Sequence, residues 1–176
     1  LLKNGNLWDK LGKLLIGSAK ARLDKSGRLK IPERFREALE ENYGKHVFIT
    51  CLNDSSVQIY PLPIWQNLTT TTAKGFIHLR PDIYRFLIRV NHMGTPYEID
   101  SKGRVLIQQE LREKADLDGE VEVLGLNTHL EVWNKKRLQE MILQHPLTEE
   151  DFEKISNLPG GGPPPILGNP EPDEAN

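Results

Sequence analysis

The chain says one thing twice. Asp24-Lys25-Ser26-Gly27-Arg28 returns as Asp100-Ser101-Lys102-Gly103-Arg104, and at the same 76-residue offset Leu29-Lys30-Ile31 returns as Val105-Leu106-Ile107 and Arg36-Glu37 as Arg112-Glu113. Repetition at one spacing means that one structural unit is built twice. The chain has 176 residues, so each copy is short and would bury little surface alone. Each copy is therefore expected to complete the core of the other.

The residues around each pentapeptide predict the elements. Ala21-Arg22-Leu23 and Arg28-Leu29-Lys30-Ile31 alternate polar and apolar residues, the pattern of strands that cover a core on one face. Between them, Asp24 can accept hydrogen bonds from the backbone ahead of it and Gly27 can take positive φ, which predicts a tight hairpin. Pro32 ends the strand, and 33–42 read as a helix with Phe35, Ala38 and Leu39 inward. Val47–Ile49 and Val57–Tyr60 read as strands around an Asn53-Asp54-Ser55-Ser56 turn. The second copy repeats this order with Tyr97–Ile99, Arg104–Ile107, a helix over 108–116 with Leu111 and Ala115 inward, and strands Val121–Leu124 and Leu130–Trp133.

Between the copies lies a helical insert. One helix is expected near Pro63-Ile64-Trp65, with Thr69 to Thr72 propagating it poorly. A second starts at Pro81, with Ile83, Phe86, Leu87 and Val90 on one stripe. A helix over 134–145 and an acidic one over 148–157 follow. The organisation read from the chain is a 1–16 extension, repeats at 17–62 and 94–137, an insert at 63–93, a helical segment at 138–158, and a Pro/Gly/acidic tail at 159–176 that is too polar to bury a core. Leu14-Leu15-Ile16 is too short for a secretory segment, no apolar run reaches spanning length, and the lone Cys51 fits a reducing compartment.

Catalysis finds little support. The chain has no phosphate-binding loop, no HExxH, no Gly-x-Ser-x-Gly and no CxxC, and its histidines are scattered. His129 reads as a solvated turn residue, and no cofactor or metal is expected. Charge is more informative. The net charge of −2 conceals a basic stretch over 20–36, with seven Lys and Arg against two acids, and an acidic stretch over 146–176, with seven Asp and Glu against Lys154. Local field, not total charge, attracts a polyanion.

One Asp-x-x-Gly-Arg alone reads as a solvated turn whose Arg pairs with its own Asp. Two in equivalent places point further. Arg28 and Arg104 can make forked contacts to phosphate or to a guanine edge, and Lys25 and Lys102 supply point charges. Lys30 and Arg34 widen the first patch, while Asp24, Gly27, Asp100 and Gly103 shape the loops. Arg36 and Arg112 could equally anchor their helices. Arg80, Arg85 and Arg89 read as a solvated face, and Trp65 and Trp133 as core aromatics.

These residues resemble the MraZ family of bacterial transcriptional regulators. The resemblance rests on Leu23-Asp24-Lys25-Ser26-Gly27-Arg28-Leu29-Lys30-Ile31-Pro32, on Arg34-Phe35-Arg36-Glu37, on Ile59-Tyr60-Pro61-Leu62-Pro63-Ile64-Trp65, and on the second loop at Ile99–Ile107. It covers roughly residues 17 to 145. It implies an α+β, mainly β fold: duplicated AbrB-like swapped-hairpin β-barrel halves with short helices and a helical insert. It also implies a cytoplasmic, nucleoid-associated homo-oligomeric ring that binds double-stranded DNA at short direct repeats upstream of the division and cell-wall gene cluster, and no membrane. The DNA contacts carry over to Lys25 and Arg28 and to Lys102 and Arg104. Gln108 departs from the proline that ends the equivalent strand of the first copy. The competing readings are a non-specific nucleoid-associated architectural protein and a protein-binding assembly scaffold. Because the first loop lies in the richer basic setting, Arg28 is expected to matter at least as much as Arg104.

Overall fold

The computed structural model describes residues 14–72 and 80–159. The predicted 1–16 extension, the middle of the insert and the Pro/Gly/acidic tail therefore lie largely or wholly outside the described residues. The chain divides into two compact units, one through Gln139 and one from Glu140 onward. The first holds eight strands: β1 (Ile16–Arg22), β2 (Arg28–Lys30), β3 (His46–Thr50), β4 (Ser56–Pro61), β5 (Thr95–Glu98), β6 (Arg104–Leu106), β7 (Glu120–Leu126) and β8 (Leu130–Trp133). Among the described residues there are six helices, α1 (Glu33–Tyr43), α2 (Leu62–Thr72), α3 (Pro81–Met93), α4 (Gln109–Ala115), α5 (Lys135–Gln144) and α6 (Glu149–Ser156).

The strands form a six-stranded antiparallel sheet, ordered β1-β7-β8-β4-β3-β5, and a separate two-stranded ribbon, β2-β6. The pairing exchanges the halves. β1 of the first repeat pairs with β7 of the second, β5 of the second pairs with β3 of the first, and β4 lies beside β8. The ribbon takes one strand from each repeat. Neither half builds its sheet alone, which is the interdependence that their small size required.

This topology corrects the expected hairpin. The arms flanking Asp24–Gly27 bridge only at Leu23 and Leu29, after which β1 joins β7 and β2 joins β6. The turn chemistry is as expected, but hydrogen bonds to the opposite repeat outcompete those along the local hairpin. β1 also starts earlier than its alternation suggested, because the β7 register carries Ile16, Gly17 and Ser18 into the sheet.

The larger hydrophobic cluster of the first unit gathers residues from both repeats. Leu29, Ile31, Phe35, Leu39, Val105 and Ile107 are fully buried in it, with Leu111, Ile59 and Leu130 beside them. Phe35, Ala38 and Leu39 are the buried residues of α1, and Leu111 and Ala115 those of α4, as the helical periodicity predicted. Gln108 takes φ −58° and ψ 150°, close to the −52° and 134° of Pro32, so the departure from proline leaves the helix entry unchanged. Its side chain instead donates to Thr95 Oγ1 at 2.7 Å.

A second cluster joins the insert to the sheet. Trp65 stacks on Phe48 with ring centroids 4.4 Å apart, Tyr60 and Val90 complete the contact, and Phe86 packs against it. α2 runs through Thr72 despite its threonines, and Thr69 Oγ1 donates back to the Trp65 carbonyl at 2.9 Å. Arg89 is not merely solvated, since it pairs with Asp54 at 2.9 Å. The solvated turn expected at His129 is also corrected. Its ring stacks on Tyr60 at 4.3 Å, and its side chain is only 13% exposed. The second unit contains the end of α5 and all of α6, whose Thr148 and Asp151 form a reciprocal cap.

Leu29 sits at the centre of the exchanged ribbon with no exposed surface. Leu29→Ala is expected to cost about 2–5 kcal/mol, the range for truncating a buried leucine, read as a lower urea midpoint with unchanged slope.

Candidate nucleic-acid interface

Each pentapeptide folds around its aspartate. Asp24 Oδ1 accepts from the backbone N–H of Ser26 and of Arg28, both at 2.9 Å. Asp100 Oδ1 accepts from Lys102 and Arg104 N–H at the same 2.9 Å. The Gly27 N–H reaches the Asp24 carbonyl at 3.0 Å, and Gly103 N–H reaches that of Asp100 at 2.9 Å. Both glycines take positive φ, 82° and 73°, a conformation that side-chain-bearing residues rarely adopt. The four loop-shaping residues thus make two loops with the same hydrogen bonds.

The carboxylates feel this. The Asp24 carboxyl is held below its ordinary value chiefly by the Arg28 backbone N–H, with further hydrogen bonds from Ser26. At Asp100 desolvation pushes upward, but the Arg104 backbone and side chain and the Lys102 N–H outweigh it.

The loops lead into the ribbon, and its register sets the chemistry of each face. Arg28 stands opposite Leu106, Leu29 opposite Val105, and Lys30 opposite Arg104. Directly opposed residues share a face and neighbours alternate. Leu29 and Val105 therefore point together into the core, both with no exposed surface. Arg28, Lys30, Arg104 and Leu106 share the outer face. Arg28 and Arg104 are diagonal neighbours, about 7–8 Å apart along such a ladder. Lys25 and Lys102 are exposed in the loops that enter the ribbon from its two ends.

The structure thus brings three of the six predicted cations, Arg28, Lys30 and Arg104, onto one face, and leaves Lys25 and Lys102 exposed in the loops at its two ends. The sixth, Arg34, is placed differently: its guanidinium donates to the Ser18 carbonyl at 2.5 Å and lies 4.4 Å from the centre of the Phe35 ring, fastening β1 to α1. The wider basic stretch is also less available than its composition implies. Lys20 and Arg22 stand opposite Glu122 and Glu120 on β7, and Arg36 pairs with Glu33.

The two arginines of the loops differ. Arg104 Nε bonds Asp100 Oδ2 at 2.9 Å, the pairing expected of a solvated turn. Arg28 makes no such ion pair among the described residues. What the sequence left open was the place of Arg36 and Arg112. Each lies against the loop glycine of the opposite repeat, Arg112 at Gly27 and Arg36 at Gly103. The only sequence signal for this was their shared offset.

The chain can now be set beside known proteins. A family profile described as "MraZ protein, putative antitoxin-like" matches residues 14–80 and 94–157, so both repeats are covered. The chain belongs to the MraZ family. It is 36% identical over 142 residues to the transcriptional regulator MraZ of Acidobacterium capsulatum, covering 81% of this chain and 97% of that one. Against the protein of the same name from Koribacter versatilis it is 34% identical over 143 residues, with the same coverage of 81% and 97%. The regulator from Syntrophobacter fumaroxidans is 32% identical, with 82% and 93% covered. Membership makes the chain a transcriptional regulator rather than an enzyme. No helix among the described residues is long and apolar enough to cross a membrane.

A carboxylate whose folded value is depressed contributes stability above its ordinary value and loses that contribution as pH falls through the folded value. Titration of the side-chain carboxyl signals by NMR is therefore expected to place Asp24 and Asp100 below the ordinary 3.8, with loop order lost only under acid conditions beyond it. Asp24→Asn keeps an oxygen for the two backbone bonds and is expected to hold the loop, whereas Asp24→Ala is expected to loosen it.

Proposed function

We propose that the chain is a sequence-specific regulator that binds double-stranded DNA through the outer face of the exchanged ribbon. The observation that carries this is the juxtaposition of Lys30 and Arg104 as direct cross-strand partners, with Arg28 diagonal to Arg104. Like charges directly opposite destabilise a ladder. Asp100 relieves part of that repulsion by pairing with Arg104. A phosphate backbone would relieve the rest.

The shape also suits DNA. A B-DNA major groove admits a two-stranded ribbon, and arginine forks match the paired acceptors of guanine. Arg28 and Arg104 are the base or phosphate readers in this scheme, with Lys25, Lys102 and Lys30 on the backbone. Lys and Arg contacts to phosphate position the protein, and edge contacts supply the specificity. Arg28 is at least as important as Arg104, because its guanidinium makes no ion pair with its own loop aspartate, whereas that of Arg104 does.

Short direct repeats upstream of the gene's own division and cell-wall cluster are the proposed target. A few phosphate contacts per subunit give weak, salt-sensitive binding. A homo-oligomeric ring on regularly spaced repeats multiplies it through effective concentration. Head-to-tail neighbours in a ring suit repeats that all run in one direction. A cytoplasmic, nucleoid-associated location follows from the same reading, as does the division into two AbrB-like barrel halves flanking a helical insert.

The test is a mobility shift on the DNA upstream of the native gene, with a scrambled duplex at the same salt. Arg28→Ala and Arg104→Ala are each expected to weaken specific binding by about tenfold or more, as loss of a bidentate contact does. Unchanged binding by both variants would remove the ribbon from the interface. Equal affinity of the parent for native and scrambled sites would instead favour the architectural reading.

A further inference from the structure

We propose that Arg36 and Arg112 are positioning residues that hold the two loops in their reading conformation, and that each serves the loop of the opposite half. The DNA part of this inference rests on the function proposed above, whereas the positioning itself does not.

Two glycines show where the arginines press. Gly27 and Gly103 are buried although their loops are otherwise exposed. A methyl group on Gly27 would lie 2.7 Å from Arg112 Nε, 2.8 Å from its Cζ and 3.0 Å from Nη2, so the guanidinium occupies the space that a side chain would need. A methyl on Gly103 would lie 2.6 Å from Arg36 Cδ and 3.4 Å from its Nε and Nη1. Positive φ alone would favour glycine at both places. The arginines add a second reason, which comes from the other repeat.

Backbone bonds tie the same partners together. Ile107 N–H donates to the Gly27 carbonyl at 3.0 Å, while the Ile107 carbonyl accepts from Arg112 Nε at 3.0 Å. One residue of the second repeat therefore holds both the first loop and the arginine lying on it. The mirror contact, Ile31 N–H to the Gly103 carbonyl, is also 3.0 Å. Arg36 pairs with Glu33 on its own helix, and its buried Nε has no hydrogen-bond partner among the described residues. Arg36 thus holds its loop by packing, and Arg112 by packing plus a latch.

A planar guanidinium can lie flat against a glycine, whereas an ammonium on a flexible stem cannot. Removing it takes away the packing against the loop glycine. The loop then keeps its internal turn but loses its fixed aim. A loop that must be ordered on binding binds more weakly, because ordering opposes association.

Double-mutant cycles on a fluorescent duplex of the DNA upstream of the native gene test the crossing. Arg112→Ala is expected to weaken binding by about tenfold, and adding it to Arg28→Ala is expected to cost little more than Arg28→Ala alone, since interacting sites are not additive. Combined with Arg104→Ala, its effect is expected to multiply. Arg36→Ala should show the reverse, coupling to Arg104 and not to Arg28. Coupling within the same half, or none, overturns the proposal. The salt dependence of binding should keep its slope in Arg112→Ala. A slope reduced by about one would mean that Arg112 touches a phosphate itself, and the proposal fails.

Amide hydrogen exchange supplies the readout that needs no DNA. Arg112→Ala is expected to speed exchange at Gly27 and Arg28 while Gly103 and Arg104 stay protected, and Arg36→Ala to do the opposite. Loosening of both loops together in either variant indicates a general loss of structure and overturns the assignment. Arg112→Met and Arg36→Met keep the stem and guard the core, so the comparison survives poor folding of the alanine variants. Arg112→Lys is expected not to restore protection. If the parent binds no duplex, the DNA function falls, while the exchange pattern still decides the positioning role.

Discussion

Two hydrogen bonds set the register on which the molecule depends. Ile107 N–H reaches the Gly27 carbonyl and Ile31 N–H reaches that of Gly103, each at 3.0 Å. Between them run only three paired positions, yet those positions orient every side chain of the ribbon. A slip of one residue would turn Leu29 and Val105 to solvent and bring cations into the core. The burial of Leu29, Ile31, Val105 and Ile107 makes that slip prohibitive. Hydrophobic burial on one side of the ribbon thereby fixes the charges on the other.

The same exchange explains how a short chain folds. Each repeat supplies strands that the other completes, so the six-stranded sheet interleaves the halves from edge to edge. Burial within one repeat would be small, and the shared core raises it without adding residues. The proposed DNA-binding surface lies at the seam, where one strand from each half meets the other. Because the seam is also the centre of the core, the ribbon is anchored where the structure is least able to deform, which suits a surface that must present cations at fixed spacing.

Much of this was legible in the chain. The Asp-x-x-Gly turns, the buried residues of α1 and α4, the apolar stripe of α3 and the core placement of Trp65 and Trp133 all follow from local spacing and turn chemistry. What local pattern does not carry is the identity of a strand's partner. Ala21-Arg22-Leu23 and Arg28–Ile31 look like the arms of one hairpin, because alternation reports a half-buried strand and not what lies beside it. His129 was misread for a similar reason, since the Tyr60 ring that covers it comes from the other repeat. Net charge along 20–36 overstated the basic surface, because Glu120 and Glu122 approach Arg22 and Lys20 only in the folded sheet. The candidate cations were visible from their types and their equivalence. The convergence of Arg28, Lys30 and Arg104 on one face required the β2–β6 register.

Duplication does not make the halves identical, and their differences concern how each loop is held. The first loop is latched by Arg112, which lies against Gly27 and whose Nε bonds the Ile107 carbonyl, and the Arg28 guanidinium is outside any ion pair among the described residues. In the second loop Asp100 pairs with Arg104 across the base of the turn, and the Arg36 Nε lying against Gly103 is buried with no hydrogen-bond partner among the described residues. A loop cation outside an ion pair has no carboxylate to give up when a partner arrives. Holding the cation itself removes its rotamer freedom in advance but makes the partner compete with a carboxylate. The first arrangement keeps more of the charge available, and the second keeps more of the geometry. A pair of loops that divides these tasks can combine long-range attraction at one end of the ribbon with a preset orientation at the other, an arrangement that two identical loops would lack.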